Sequence, residues 1–247
     1  MNKWKYNLKL LAEFDHIIIP CSACIKPLET VIWKPCIYMP PGIDAIQFCP
    51  YPNPPVRSID VYSLGRKSLV THQALLKMAE ERQNFYIYDT FTRMQTSIPR
   101  EHRKLVANIT KRSCYFIANA PKIDQPLETN GQCEISYRFL EGAASGTVMI
   151  GDIIENEAFR KHFDWPDVVI KVPFNAMNIA DILDELDAQP ERLEKIRKNN
   201  VVQCLLRHDW VYRWKTILEL VGLKPKPALV AREERLKKLA EDIKKNS

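Results

Sequence analysis

The chain predicts an α/β fold, a Rossmann-like parallel sheet with helices on both faces, and three observations carry that expectation. Short apolar runs rich in Val, Ile, Tyr and Phe alternate with longer stretches of helical periodicity, which is the pattern of parallel strands joined by helical crossovers. One such step is complete within a single segment, Glu134-Ile-Ser-Tyr-Arg138-Phe-Leu-Glu141-Gly-Ala-Ala-Ser-Gly146-Thr-Val-Met-Ile-Gly151. On a 3.6-residue period Glu134, Arg138, Glu141 and Ser145 share one side, while Ile135, Phe139 and Ala143 share the other and face a core. Gly146 lies where a helix end wants positive φ, and Thr-Val-Met-Ile continues as a buried strand. Finally, 247 residues with 46% hydrophobic and 27% charged residues suffice for a sizeable core.

Taken in order, residues 4–14 read as a helix, 15–20 as a buried strand, 22–32 as a helix and 35–39 as a short strand. Six prolines between Pro40 and Pro55 then exclude regular helix and mark a linker. Beyond it, strands are expected at 59–64, 85–88, 115–118, 148–150 and 168–172, with helices at 71–81, 101–109 and from Glu134. Pro190-Glu191 starts a further helix through Leu193, Ile196 and Leu205, and Asp209 caps another that carries Trp214, Ile217, Leu218 and Val221 and ends at Gly222. The expected organisation is residues 1–55, a small unit plus linker; 56–223, the Rossmann-like domain; and 224–247, a basic amphipathic tail helix with Leu236, Leu239 and Ile243 in its stripe. That stripe either packs on the domain or makes weak peripheral contact with anionic membrane.

Composition excludes several functions. The formal charge is +6, but residues 224–247 hold eight Lys and Arg against four Asp and Glu, which leaves +2 for the rest. No aromatic-and-basic stripe accompanies this excess, so nucleic acid is not an expected partner. Only seven glycines are present and none forms G-x-G-x-x-G, which disfavours a dinucleotide-dependent dehydrogenase. Lysines interrupt the first eleven residues and no long apolar run follows, so neither a signal peptide nor a membrane span is expected and the chain reads as cytoplasmic. In that compartment the seven cysteines are expected to stay reduced. Cys21-Ser-Ala-Cys24 has the spacing of a zinc or redox pair, but no second close pair completes a metal set. Small buried thiols are the expectation adopted here.

A family resemblance rests on motifs that fall in order along the chain. The pattern from Arg138 to Ile150, preceded by Pro40-Pro41-Gly42-Ile43-Asp44 and by Asp60-Val-Tyr-Ser-Leu-Gly65-Arg66, and followed by His208-Asp209-Trp210 with Arg213-Trp214, resembles group 1 glycosyltransferases of the GT-B fold. The match corresponds to the C-terminal donor-binding domain, so the chain resembles an N-terminally shortened member in which residues 1–55 end the acceptor-side domain.

The resemblance implies hexosyl transfer from a nucleoside diphosphate sugar to an unknown acceptor, without metal or other cofactor. It places Arg66, and beside it Lys67, on the diphosphate at the carboxyl end of a strand, although both also suit an exposed basic turn. Asn130, Gly131 and Gln132 would offer phosphate-binding N–H groups at the following helix start. Arg138 adds charge, Glu141 accepts the ribose hydroxyls, and Glu134 completes the donor-binding set; Glu134 and Arg138 also fit an ordinary i, i+4 ion pair. No catalytic residue is assigned. Retaining members commonly carry two glutamates with seven residues between them on this element, whereas here Cys133 occupies the first position and Glu134 leaves only six between, so the stereochemical outcome stays open. His208, Trp210 and Arg213 are expected to brace the junction with the N-terminal unit. The alternative function is a non-catalytic nucleotide-sugar-binding or interaction module.

Overall fold

A computed structural model describes residues 8, 10–88, 98–129, 134–153 and 155–245. The N-terminal unit holds β1 (Ile17–Ile19), α1 (Ile25–Ile32) and β2 (Cys36–Tyr38), with the two strands parallel. Ile17, Ile32 and Cys36 form its small core. Of the expected helix at 4–14, residues 4–7 and 9 lie outside the described residues; Leu8, Leu10 and Leu11 are helical, and the chain turns at residues 12–13, short of the expected end.

The larger unit carries β3 (Ile59–Ser63), β4 (Tyr86–Tyr88), β5 (Ser113–Ile117), β6 (Val148–Gly151) and β7 (Ile170–Lys171) in one parallel sheet of order β4-β3-β5-β6-β7. Val61 lies opposite both Tyr86 and Tyr115, and Tyr115 opposite Val148. Alternation along these strands explains why both faces need helices. Tyr62, Phe116 and Met149 point into one core, while Val61, Tyr115, Ile117, Val148 and Ile150 point into the other. The first core is closed by α4 (Pro99–Lys111), α5 (Tyr137–Ser145), α6 (Glu157–His162) and the second half of α8 (Pro190–Arg207). The second is closed by α3 (Leu69–Arg82), α7 (Ile179–Asp187) and the start of α8. The expected fold class is the observed one.

Three differences from the sequence reading have clear causes. Between Pro41 and Pro50 the chain fits a one-turn helix, α2 (Ala45–Phe48), because Asp44 caps it through the Gln47 amide and neither proline falls inside. Ile43, Ala45 and Phe48 are almost fully buried in the first core, so this proline-rich stretch is packed structure. Next, α5 begins at Tyr137 and not at Glu134, because the Ser136 hydroxyl accepts from the Arg138 amide and ends the extended approach. Glu134 therefore precedes the helix and does not share a helical face with Arg138 and Glu141. Lastly, Leu236, Ala240 and Ile243 of the C-terminal helix, α10 (Pro227–Lys245), are buried, and the helix packs on α8. The apolar stripe is covered by protein, the packing alternative of the two that the sequence leaves open. Among the described residues no helix is long and apolar enough to cross a bilayer.

Candidate functional site

In an open parallel sheet the ligand crevice lies where successive connections leave in opposite directions, outside the carboxyl ends of the strands. Here the chain leaves β3 for β4 on one side, then returns across to β5 on the other, so the switch point, where such a crevice is expected, falls between the loops after β3 and β5. Arg66, from the first loop, is paired with Asp124, from the second, at 2.9 Å. Each side chain is about one-third exposed, at 37% and 32%, so the pair contributes no more than ~1 kcal/mol and is readily exchanged for another anion.

Gly65 has φ of +81°, a left-handed conformation that suits glycine, and a Cβ built there would overlap the Arg138 guanidinium. The absent side chain lets Arg138, on the first turn of α5, lie against the loop that carries Arg66. The structure thus brings Gly65, Arg66 and Arg138 together at one sheet edge. Ser68 caps α3 through the Thr71 amide and donates to Asn175, while the Thr71 hydroxyl joins the Phe174 carbonyl and the Ala176 amide. Asp152 accepts from the Phe174 amide and donates its own amide to Asn119. These bonds tie the loops after β3, β5, β6 and β7 into one rim.

Glu141 is 3% exposed and accepts an ion-paired hydrogen bond from Arg103 of α4. Burial pushes its carboxyl above the ordinary value, and Arg103, Arg138 and His102 oppose that rise. Arg103 also lies 5.1 Å from the Phe48 ring centre. Nothing in the sequence links Arg103 to Glu141, because the two are 38 positions apart on separate helices. The same holds for Asp124, which no motif singles out.

The other expected residues go elsewhere. Lys67 Nζ sits 4.6 Å from the centre of the Tyr88 ring, at the end of edge strand β4. Glu134 Oε1 accepts from the Ser22 hydroxyl at 3.3 Å and the Ala23 amide at 3.5 Å, and so faces the N-terminal unit. Asn130, Gly131, Gln132 and Cys133 lie outside the described residues. Cys21 and Cys24 are joined as a disulfide and are partly exposed, which corrects the expectation of reduced, buried thiols. A 3-10 turn, Ser22–Cys24, is what brings their Cα atoms to 5.3 Å, within bonding range of a disulfide.

The His208 motif braces the junction. Arg213, on α9 (Trp210–Leu220), donates to the carbonyls of Pro40, Pro41 and Arg207. Ile43 pairs with Asp209 in a parallel bridge, and Gly42 leaves room for the Trp210 ring. His208 is 1% exposed, and its Nε2 lies 2.9 Å from the His162 carbonyl. A carbonyl only accepts, so Nε2 bears the proton and Nδ1 accepts from Arg213 at 3.2 Å. Burial first, then Arg213, push its pKa down to about 3, so the ring is a neutral strut shut away from solvent and not a catalytic base.

A pH dependence follows. A histidine whose folded pKa lies below its unfolded value of about 6.5 stabilises the fold fully only above that value, and the contribution is lost as pH falls toward 3. Between pH 6.5 and 4.5 this one group is expected to remove on the order of 2 kcal/mol. Urea melts at several pH values should show a shallower acid decline in His208→Gln than in the parent; parallel declines would mean that His208 protonates freely in the fold.

With this architecture established, the comparisons with known proteins agree. The sequence model of a family described as glycosyl transferase-like matches residues 72–219, and the chain belongs to that family. No curated protein matches the chain. Among solved structures, it is similar to HepE from Anabaena in complex with UDP and glucose, at 12% identity and a TM-score of 0.58, over 88% of this chain and 66% of that one. It is also similar to sucrose-phosphate synthase from Thermosynechococcus elongatus, at 11% identity and 0.52, over 88% and 60%. A glycosyltransferase from Rickettsia africae ESF-5 matches at 12% identity and 0.50, over 100% and 68%. The chain spans slightly less than two-thirds of the first two proteins. The fold class is that of GT-B glycosyltransferases, as the motifs imply.

Proposed function

We propose that the crevice between the loops after β3 and β5 binds the diphosphate of a nucleoside diphosphate sugar, and that the chain serves hexosyl transfer from that donor to an acceptor. The observation that carries this reading is the convergence of Gly65, Arg66 and Arg138 at the switch point. A departing nucleoside diphosphate gains negative charge, so fixed cations beside it lower the barrier. Arg66 exchanges Asp124 for a phosphate oxygen, and Arg138 answers a second one beside the amino end of α5, where the helix dipole also favours anions. In this reading the two guanidiniums neutralise the leaving group without a metal ion. Glu141 receives the ribose hydroxyls once Arg103 swings off its carboxylate, since 3% exposure leaves no other approach. Lys67 and Glu134 are not needed for the diphosphate. The UDP and glucose in the HepE complex are a nucleoside diphosphate and a hexose of the kind proposed.

Calorimetry tests the reading. A nucleoside diphosphate should bind the folded chain, and Arg138→Ala should weaken it about 10- to 100-fold, the usual loss for a charged hydrogen bond, while barely changing the affinity of the bare nucleoside. Failure of every nucleoside diphosphate to bind at millimolar concentration would overturn the proposal. Binding without transfer to any of a panel of sugar and peptide acceptors would support the non-catalytic module.

A further inference from the structure

Cys21 and Cys24 are not used by the proposed donor site, yet their placement is specific. The disulfide closes a ring that contains only two further residues, Ser22 and Ala23. Both reach Glu134 in the other unit, 112 and 111 positions away. Glu134 begins the extended lead into Ser136, the cap of α5, and Ile135 between them is buried in the first core. An open Cys-x-x-Cys segment holds many conformations, whereas the closed ring fixes the Ser22 hydroxyl and the Ala23 amide toward one point. Both cysteines are partly exposed, so a small thiol can reach them. Cys24 is also the cap residue of α1, an eight-residue helix whose amino end favours a thiolate.

We infer that Cys21 and Cys24 form a reversible thiol–disulfide exchange site whose state sets the order of the segment leading into α5. In the reductive direction, the thiolate of an external thiol attacks one sulfur, forms a mixed disulfide and releases the other cysteine as a thiolate. A second equivalent of the thiol then attacks the mixed disulfide. Two electrons and two protons pass to Cys21 and Cys24, and the two external thiols leave as their own disulfide. Opening the ring loosens Ser22 and Ala23, and the Glu134 segment loses the bonds that these two residues donate to it. No contact with a nucleotide enters this inference, so it stands or falls independently of the donor site.

The test uses the full chain and glutathione. After equilibration with oxidised glutathione, differential alkylation and peptide mass mapping should find Cys21 and Cys24 bonded to each other; millimolar reduced glutathione should open them, and re-oxidation should restore the bond. Hydrogen exchange at residues 134–137 should run at least tenfold faster in the reduced chain. The Cys21→Ser, Cys24→Ser double variant should match the reduced state whatever the buffer, and Ser22→Ala should speed the same amides with the disulfide intact. Circular dichroism of the reduced parent confirms that the fold persists, so the result does not depend on any variant folding. Failure of the pair to re-form, stoichiometric zinc held by the two thiols, or unchanged exchange at 134–137 on reduction would each overturn the inference.

Discussion

Replacing Asp209 with alanine is expected to cost about 4 kcal/mol of folding stability, in the range for breaking a buried charge pair. The residue is fully buried, and its carboxylate accepts four hydrogen bonds from three groups. One oxygen accepts from the Ala45 amide at 2.9 Å and from Arg232 Nη2 at 2.7 Å; the other accepts from the Val211 amide at 2.9 Å and from Arg232 Nε at 2.8 Å. Truncation therefore uncaps α9, orphans a buried amide at the start of α2 and removes the principal partner of a guanidinium that these contacts hold strongly protonated. Asp44 retains a contact with Arg232 at 2.8 Å, which limits the damage. Asp209→Asn keeps an acceptor and should cost roughly half as much, the neutral hydrogen bonds being weaker. Denaturant unfolding followed by circular dichroism checks both; a loss under about 1 kcal/mol for the alanine variant would mean that water replaces the carboxylate without strain.

Gly151→Ala is expected to be the next most damaging change, at about 3 kcal/mol, the upper part of the overpacking range. A Cβ on Gly151 would stand 2.5 Å from the Ala118 carbonyl oxygen and 2.9 Å from Asn119 Oδ1. Neither is the free end of a flexible side chain. Ala118 is held to Ile150 by a 2.9 Å backbone bond, and Asn119 to the Asp152 amide at 2.8 Å. Relief requires β5 and β6 to part at their carboxyl ends, in the rim of the crevice. A drop in the denaturation midpoint with an unchanged denaturant slope would report this loss; full parental stability would show that the rim yields easily.

The parallel sheet was legible because its signal is local and periodic: strands buried on both faces read as continuous apolar runs, and the helices between them carry their own spacing. The place of Arg138 on α5 and of Gly146 at its end is legible for the same reason. Gly146 ends α5 with φ of +61°, as its place after the helical pattern suggests. What escaped depends on partners distant in sequence. Arg103 meets Glu141, and Asp124 meets Arg66, only because the sheet carries their loops and helices to one edge. Lys67 follows the exposed Tyr88 ring, a contact that no spacing rule encodes. The periodicity puts the start of α5 three residues early because an amphipathic pattern does not reveal which polar residue will cap it. The Cys21–Cys24 bond runs against the compartment signal because one helical turn is enough to bring the two sulfurs together.

The clasp of Arg213 on Pro40 and Pro41 has a consequence for how the chain is connected. Prolines offer carbonyls but no amides, so this stretch cannot fasten itself through its own backbone donors; the guanidinium arrives from 173 positions away to hold Pro40. Arg232 reaches Asp44 from farther still, across 188 positions. The neck between the two units is thus tied by the tail, and in topological terms the backbone is closed into a ring by noncovalent stitches. The direction in which the N-terminal unit leaves the sheet domain is set by residues that follow the neck by more than 160 positions, so the neck takes its final course only after α9 and α10 have been made.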